Sequence, residues 1–170
     1  MVEESPSFAG VLRWLDRLKQ GGVITDYAIT GAVAASIWGE AIATQDLDVA
    51  VILAQGAHSP LDPLRSVLDW AAERGYPLQG EHIVVHGVPV QLLPSWHPVV
   101  EEAIHNAVDV PYDTSEGAPM MSLISPTYLV ASWRIPAANT ATRAERTARL
   151  KDAGLLDETL LEDLVTRYRL

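Results

Sequence analysis

Two aspartates and an upstream glycine are the residues of this chain whose types and spacing best suit chemistry. Asp46 and Asp48 stand at the start of an apolar run, and Gly31 interrupts an earlier one. On a strand, residues i and i+2 point to the same face, so the two carboxylates would project side by side. They would offer hard oxygen ligands to a divalent cation. A glycine turn at a helix start would offer backbone N–H groups to an anion, so the pattern predicts a phosphate and metal site.

The residues after the glycine favour the approach of phosphates. The segment from Ala32 to Ser36 is rich in alanine, so a helix there would begin without bulk beside its N-terminal amides. Thr30 adds a hydroxyl group that can bind phosphate. A nucleoside triphosphate with magnesium would satisfy both the glycine turn and the aspartate pair.

Both features also have purely structural interpretations. Asp46 can close a turn with Thr44 and Gln45 before a solvated strand, and Gly31 can serve only backbone freedom or close helix packing. The coupling of the glycine turn to the aspartates about fifteen residues later favours the metal interpretation.

Net charge limits the choice of partners. The chain has 22 acidic and 12 basic residues, giving a net charge of −10, which disfavours nonspecific attraction to DNA or to anionic membranes. No lysine or arginine lies between Lys19 and Arg65. The charge of a triphosphate must therefore be neutralised by a metal or by a late basic cluster, which consists of Arg143, Arg146, Arg149 and Lys151.

Length and composition predict a single domain. The 170 residues are 48% hydrophobic and 20% charged, with no cysteine, so disulfides and thiolate metal sites are excluded. No segment approaches the ~20 apolar residues of a membrane span. The first residues lack the basic and apolar regions of a secretory signal, so we expect a cytoplasmic protein.

The pattern of apolar residues predicts a mixed α/β fold, with one core at about 22–124, an N-terminal helix at 7–20 and C-terminal helices at about 126–170. Predicted strands lie at 27–30, 47–53, 82–85, 88–93 and 121–124. Predicted helices lie at 32–38, 63–74, 97–107, 126–135, from 140 or 142 onward, and 157–168. The segment 109–119 is rich in Pro, Asp, Ser and Gly and is predicted to be a loop.

Some other polar and aromatic residues have weaker signals. His82 and His86 are predicted to be ordinary strand-edge histidines, too far apart to share a metal unless a turn separates them. Trp96 is either a stacking platform for a base or a lid on the core. Ser36 and Ser95 lack the context of a nucleophile elbow.

The arrangement resembles the minimal nucleotidyltransferases of the DNA polymerase β-like superfamily, especially small bacterial proteins related to AbiEii-type toxins and to toxin–antitoxin nucleotidyltransferases. The family pattern is a strand, a glycine turn, a helix ending in glycine, a threonine and Asp-x-Asp on the next strand. Here these elements are Gly31, Trp38-Gly39-Glu40, Thr44 and TQDLDVAV, and the later ARLKDAGLL resembles the basic segment of relatives.

The resemblance implies a mixed sheet flanked by helices and a metal-dependent transfer of a nucleoside monophosphate from a triphosphate to a hydroxyl group. It implies that Asp46 and Asp48 hold Mg²⁺ or Mn²⁺, and that Lys151 or an arginine of its cluster contacts the triphosphate. Thr30, Gly31, Ala32 and Thr44 would complete the nucleotide site. The acceptor would be a small molecule, an RNA end or a protein hydroxyl, and a helical protein partner would accompany a toxin–antitoxin role.

Three residues depart from the family pattern. Gln91, in the segment PVQLLP, stands where relatives carry a third carboxylate, so it can coordinate a cation or bind water through its amide but brings no charge. Ile42 stands where an arginine is common, and Thr30 replaces the first glycine of a pair. The departures leave two functions open, which are a transferase with weakened activity and a catalytically inactive module that binds nucleotide or a partner protein.

Overall fold

The computed structural model of the protein describes residues 6–39, 43–56, 61–135 and 140–170, with side chains from residue 143 onward in the last range. The sequence predictions that concern Glu40 and Ile42 lie outside these residues. In the described ranges, every helix is too short or too polar to cross a bilayer.

Helices and strands are interspersed as far as β7, and three helices follow it. In chain order they are α1 (Phe8–Gln20), β1 (Ile24–Ile29), α2 (Gly31–Ile37), β2 (Leu47–Leu53), α3 (Arg65–Glu73), β3 (Leu78–Gln79), β4 (His82–Val85), β5 (Val88–Pro94), α4 (Pro98–His105), β6 (Val108–Pro111), β7 (Met120–Leu123), α5 (Pro126–Trp133), α6 (Thr140–Asp152) and α7 (Glu158–Tyr168).

The strands form one seven-stranded mixed sheet in the order β3-β4-β5-β2-β1-β7-β6. Strand β2 pairs antiparallel with β1 and parallel with β5, and β1 pairs parallel with β7. The remaining neighbours are antiparallel. The predicted mixed α/β fold with flanking helices and a helical C-terminal segment is therefore confirmed.

Strand β2 sits at the centre of the sheet because its sequence suits burial. Its branched residues have high β propensity, and Leu47, Val49, Ala50 and Val51 are buried. The strand matches the predicted range 47–53. Its first residues bring the aspartate pair to the edge where β1 ends and α2 begins.

One cluster of buried residues joins the helices to the sheet, extending from Val11 in α1 to Leu164 in α7. Helix α1 contacts β1 and β4, and α4 contacts β1 and β2. Helices α5 and α7 contact each other, and both contact α4. The C-terminal helices are thus anchored to the sheet through α4, which places them near the strand ends that carry the aspartates.

Several predicted boundaries were wrong for identifiable reasons. The helix predicted at 63–74 begins only at Arg65, because the Asp62 carbonyl accepts the Arg65 N–H in a turn. The predicted loop 109–119 contains most of β6, whose polar and proline content suits the edge of the sheet. Strand β1 begins at Ile24 rather than at the predicted Tyr27.

Candidate functional site

Three adjacent strands bring Thr30, Asp48 and Gln91 into one row. The Thr30 N–H donates to the Asp48 carbonyl over 2.9 Å, which continues the antiparallel register of β1 and β2. On the other side of β2, Asp48 is the direct partner of Gln91 in the parallel register with β5. Because paired residues on neighbouring strands share a face of the sheet, the Gln91 amide stands beside the Asp48 carboxylate.

Gly31 lies against the Asp48 side chain at the start of α2. Its φ of +62° is in the left-handed region that glycine tolerates best. A Cβ at this position would overlap Asp48 Oδ2 and would lie 2.9 Å from Asp48 Cγ. The glycine therefore has two roles, since it permits the turn from β1 into α2 and leaves room for the carboxylate. Ala32 follows it in the first turn of the helix.

Both carboxylate oxygens of Asp46 have a polar neighbour. The Thr44 hydroxyl donates to Asp46 Oδ1 over 2.6 Å, and His82 Nε2 lies 3.3 Å from Asp46 Oδ2. The Thr44 hydrogen bond holds the pKa of Asp46 below its ordinary value, His82 acts in the same direction, and burial opposes them. Asp46 is thus oriented by two polar neighbours, and its ionised form is favoured.

The carboxyl group of Asp48 is in a different environment. Burial raises its pKa above the ordinary value, the negative charge of Asp46 raises it further, and His82 opposes both effects. Two neighbouring carboxylates with opposite pKa shifts are a feature of functional sites, and a cation between them would relieve the repulsion.

A cavity of about 260 Å³ opens beside Asp48, and we call it the Asp48 cavity. It lies between the sheet and the helices α4, α5 and α6, and residues of all these elements line it. Its polar end contains Thr30, Gly31 and Asp48, while Trp96, Trp133 and Arg143 line its other walls. Arg143 Nη1 donates to the Trp133 carbonyl over 3.3 Å, which fixes the guanidinium at this wall.

The structure does not bring Lys151 to the other predicted site residues. Its ammonium group forms an ion pair with Glu158 at 3.1 Å and lines a separate cavity with Arg134, Thr147 and Leu156. That cavity shares no lining residue with the Asp48 cavity within the described part of the chain. Of the late basic cluster, Arg143 is the member that reaches the cavity beside Asp48.

Two residues of this region have positions that the sequence did not indicate. His82 was predicted to be an ordinary strand-edge histidine, but β4 pairs with β5 so that His82 falls opposite Gln91 when the register is continued by one residue. His86 lies in the hairpin turn with a φ of +46°. Trp96 is 70% exposed at the Asp48 cavity, so the prediction that it is a lid on the core was wrong.

Comparisons with known proteins find similarity to solved structures but not to a family model or a curated protein. No protein-family model matches the sequence, and no curated protein matches it significantly. The structure is similar to the crystal structure of an antigenic nucleotidyltransferase-like protein from Paracoccidioides brasiliensis, with a TM-score of 0.49 and 14% identity over 84% of this chain and 76% of that chain. At 14% identity no residue role is transferred, so the chemistry of this chain rests on its own side chains.

Proposed function

We propose that this protein binds a nucleoside triphosphate together with Mg²⁺ or Mn²⁺ beside Asp48, and that it is a nucleotidyltransferase. The observation that carries this proposal is the row formed by Thr30, Asp48 and Gln91, with Gly31 against the Asp48 carboxylate. Asp46, two residues before Asp48, supplies the second carboxylate. A glycine that leaves space at a paired carboxylate suits a ligand that brings both phosphate and metal.

The donor set fits a magnesium-type ion that arrives with phosphates. Mg²⁺ in proteins is usually held by one or two carboxylates, with waters and substrate phosphates completing its six ligands. In the described part of the chain, no three His, Cys, Asp or Glu side chains are grouped to hold a metal. Two carboxylates with an adjacent amide therefore suit an ion whose other ligands come from a triphosphate.

In the proposed reaction, a hydroxyl oxygen of the acceptor attacks the α-phosphorus. The bond from that phosphorus to the bridging oxygen breaks, pyrophosphate leaves, and the hydroxyl proton passes to solvent. A bound divalent ion would supply charge neutralisation and would lower the pKa of the hydroxyl. The residues of the chain position the reacting groups. Thr44 and His82 orient Asp46, and Gly31 leaves space for the Asp48 carboxylate. Gln91 offers its amide to a water or a phosphate oxygen.

The acceptor and the biological setting are part of the same proposal. We propose a hydroxyl acceptor on a small molecule, an RNA end or a protein. The net charge of −10 argues against nonspecific DNA binding, because an acidic protein repels the phosphate backbone. The resemblance to AbiEii-type and toxin–antitoxin nucleotidyltransferases suggests a helical protein partner and a cytoplasmic location.

Gln91 supports a second candidate, which is a module that binds nucleotide or a partner without transfer. Gln91 lies directly beside Asp48 in the register with β5, at the position where a third carboxylate would complete the charge of the site. An amide cannot accept the hydroxyl proton near neutral pH. The binding module would keep the affinity for nucleotide and metal but would catalyse no transfer.

Transfer and binding can be measured separately on the same protein. We would incubate the protein with Mg²⁺ or Mn²⁺, triphosphates labelled at the α-phosphate, and RNA, protein and small-molecule hydroxyl acceptors. Binding would be measured by isothermal titration calorimetry. The transferase predicts label on an acceptor and a higher rate for Gln91→Asp, whereas Gln55→Asp, in an exposed turn after β2, is the matched control and should change neither.

Three outcomes distinguish the candidates. Transfer by the natural sequence supports the enzyme, while binding without transfer, with transfer appearing in Gln91→Asp, supports the inactive module. Absence of metal-dependent binding of any triphosphate by the natural protein and by Gln91→Asp would refute both.

A further inference from the structure

The Asp48 cavity contains an aromatic side chain whose exposure the fold does not explain. Trp96 is 70% exposed, although tryptophan is one of the more buried residue types on average. Its indole meets the His97 ring in an edge-on arrangement, with centroids 5.7 Å apart and an interplanar angle of 81°. An edge-on neighbour and this degree of exposure leave a face of the indole open to a planar ligand.

The location of Trp96 relative to the carboxylates suits a ligand with two chemically different ends. Trp96 lies five residues beyond Gln91, which stands beside Asp48, and β5 ends at Pro94, so the backbone span is at most about 16 Å by the usual rise of a parallel strand. Pyrophosphate alone cannot bridge such a span, whereas a base joined to a triphosphate through a ribose can do so. The polar end and Trp96 line one cavity, so a single ligand can contact both.

The other walls of the Asp48 cavity suit a ligand that is apolar and aromatic at one end and anionic at the other. Val100 and Ala103 of α4 give the cavity apolar surface near Trp96. Arg143 brings a guanidinium group to the same cavity, and one of its N–H groups donates to the Trp133 carbonyl. Arginine presents five N–H donors in a fork that matches phosphate oxygens. Most ligand pockets combine apolar walls with a few such polar groups.

We propose that the Asp48 cavity binds the nucleobase of the triphosphate. In this arrangement the base stacks on Trp96, and Arg143 binds a phosphate group. The inference rests on the proposed function, since it assigns the base to the cavity beside the aspartates that are proposed to hold the metal of the metal–triphosphate complex. Stacking on an indole tolerates every base because each has a π face, so the site is expected to bind purines more tightly than pyrimidines but to exclude neither.

The test compares a nucleotide with the same anion lacking a base. Titration calorimetry would measure the dissociation constants of ATP and of inorganic tripolyphosphate, both with Mn²⁺, for the full chain and for Trp96→Ala and Trp96→Phe. Removal of the indole should weaken ATP binding by about tenfold or more and leave tripolyphosphate binding within about twofold. Trp96→Phe should retain most of the ATP affinity, because phenylalanine also stacks. Leu78→Ala, at an exposed apolar residue of β3 outside the cavity, is the control for truncation of a surface side chain.

The possible results separate this inference from the proposed function. If ATP binds and Trp96→Ala binds it equally well, the base does not stack on Trp96, and the proposed triphosphate site stands alone. If Trp96→Ala loses transfer to an acceptor but keeps its ATP affinity, the cavity belongs to the acceptor and the inference is wrong. If neither ATP nor tripolyphosphate binds with Mn²⁺, both proposals fail. Circular dichroism of each variant would show that it is folded.

Discussion

The Asp48 carboxylate lies so close to Gly31 that residue 31 has no room for a side chain. The φ of +62° at Gly31 sets the turn between β1 and α2, and a Cβ there would overlap Asp48 Oδ2. Gly31 is the first residue of α2, directly after β1, and Asp48 lies on the neighbouring strand β2, so the Thr30–Asp48 backbone hydrogen bond fixes their separation. The carboxylate can therefore occupy this position only while residue 31 is a glycine.

Gly31→Ala is the first prediction that follows from this contact. The substitution adds left-handed strain of about 1–2 kcal/mol and pushes the Asp48 carboxylate aside. We expect a lower free energy of unfolding in urea and a Mn²⁺ affinity reduced by at least tenfold. Electron paramagnetic resonance of free Mn²⁺ would measure the affinity.

Gly22→Ala is the matched control for Gly31→Ala. Gly22 has a similar φ of +67°, but nothing lies within 4 Å of the position its Cβ would take. It should lose stability through backbone strain alone and keep its Mn²⁺ affinity. Equal loss of metal affinity in both variants would show that the Gly31–Asp48 contact has no role in metal binding.

His82 is predicted to hold Asp46 in position for the metal. Its Nε2 lies 3.3 Å from Asp46 Oδ2, while Thr44 holds the other oxygen. Partners of this kind typically change metal affinity by about 10–100-fold. We expect His82→Ala to weaken Mn²⁺ binding by about tenfold and His82→Gln, which retains an N–H donor, to weaken it less. His105→Ala, at an exposed histidine of α4, should leave the affinity unchanged. If His82→Ala bound Mn²⁺ as tightly as the natural protein, His82 would have no role in metal binding.

The late basic cluster contains two candidates for the triphosphate contact. Arg143 lines the Asp48 cavity, whereas Lys151 pairs with Glu158 and lines another cavity. We expect Arg143→Gln to weaken Mn²⁺–tripolyphosphate binding by about tenfold, since a hydrogen bond to a charged group is worth about 1.5–3 kcal/mol. Lys151→Gln should remain within about twofold of the natural protein. Calorimetry at two salt concentrations would measure both, and the reverse ranking would assign the contact to Lys151.

Local sequence patterns were sufficient to predict β2, whereas the shared face of Asp46 and Asp48 stays a prediction, because Asp46 lies just before the strand begins at Leu47. The apolar run Leu47–Leu53 has strong β propensity, and alternation along a strand fixes the direction of neighbouring side chains. The adjacency of Gln91 and Asp48 was expected only through the family resemblance. Propensity contains no information on which strand pairs with β2, or in which register.

The parts of the site that the sequence did not reveal depend on long-range packing. His82 and Asp46 are 36 residues apart, and they meet because β4 and β5 form a hairpin in a particular register beside β2. Arg143 reaches the cavity through the packing of the C-terminal helices, whereas spacing alone could not separate it from Lys151. The exposure of Trp96 depends on where β5 ends relative to α4, which no local pattern specifies.

Glu102 joins α4, which lines the Asp48 cavity, to α5 and α7, and the last prediction concerns the pH dependence of these contacts. Glu102 of α4 accepts from the Tyr128 hydroxyl of α5 over 2.9 Å, from Arg167 Nη1 of α7 over 2.6 Å and from the Tyr168 hydroxyl. Burial alone would raise its pKa, but the hydrogen bonds from both tyrosines and the charge of Arg167 outweigh burial and lower it.

A carboxylate whose pKa is lower in the folded state stabilises the fold at pH values above its unfolded pKa, and it loses this effect as the pH falls through the folded pKa. We therefore expect Glu102→Gln to reduce the free energy of unfolding at pH 7 by about 1–2 kcal/mol. The difference from the natural protein should shrink as the pH falls below the ordinary glutamate pKa and through the lower pKa of folded Glu102. Urea titrations at pH 7, 5 and 3.5 would measure it, with Glu101→Gln, an exposed neighbour in the same helix, as the control. A difference that stays constant across this range would show that the Glu102 charge does not stabilise the packing of α4 against α5 and α7.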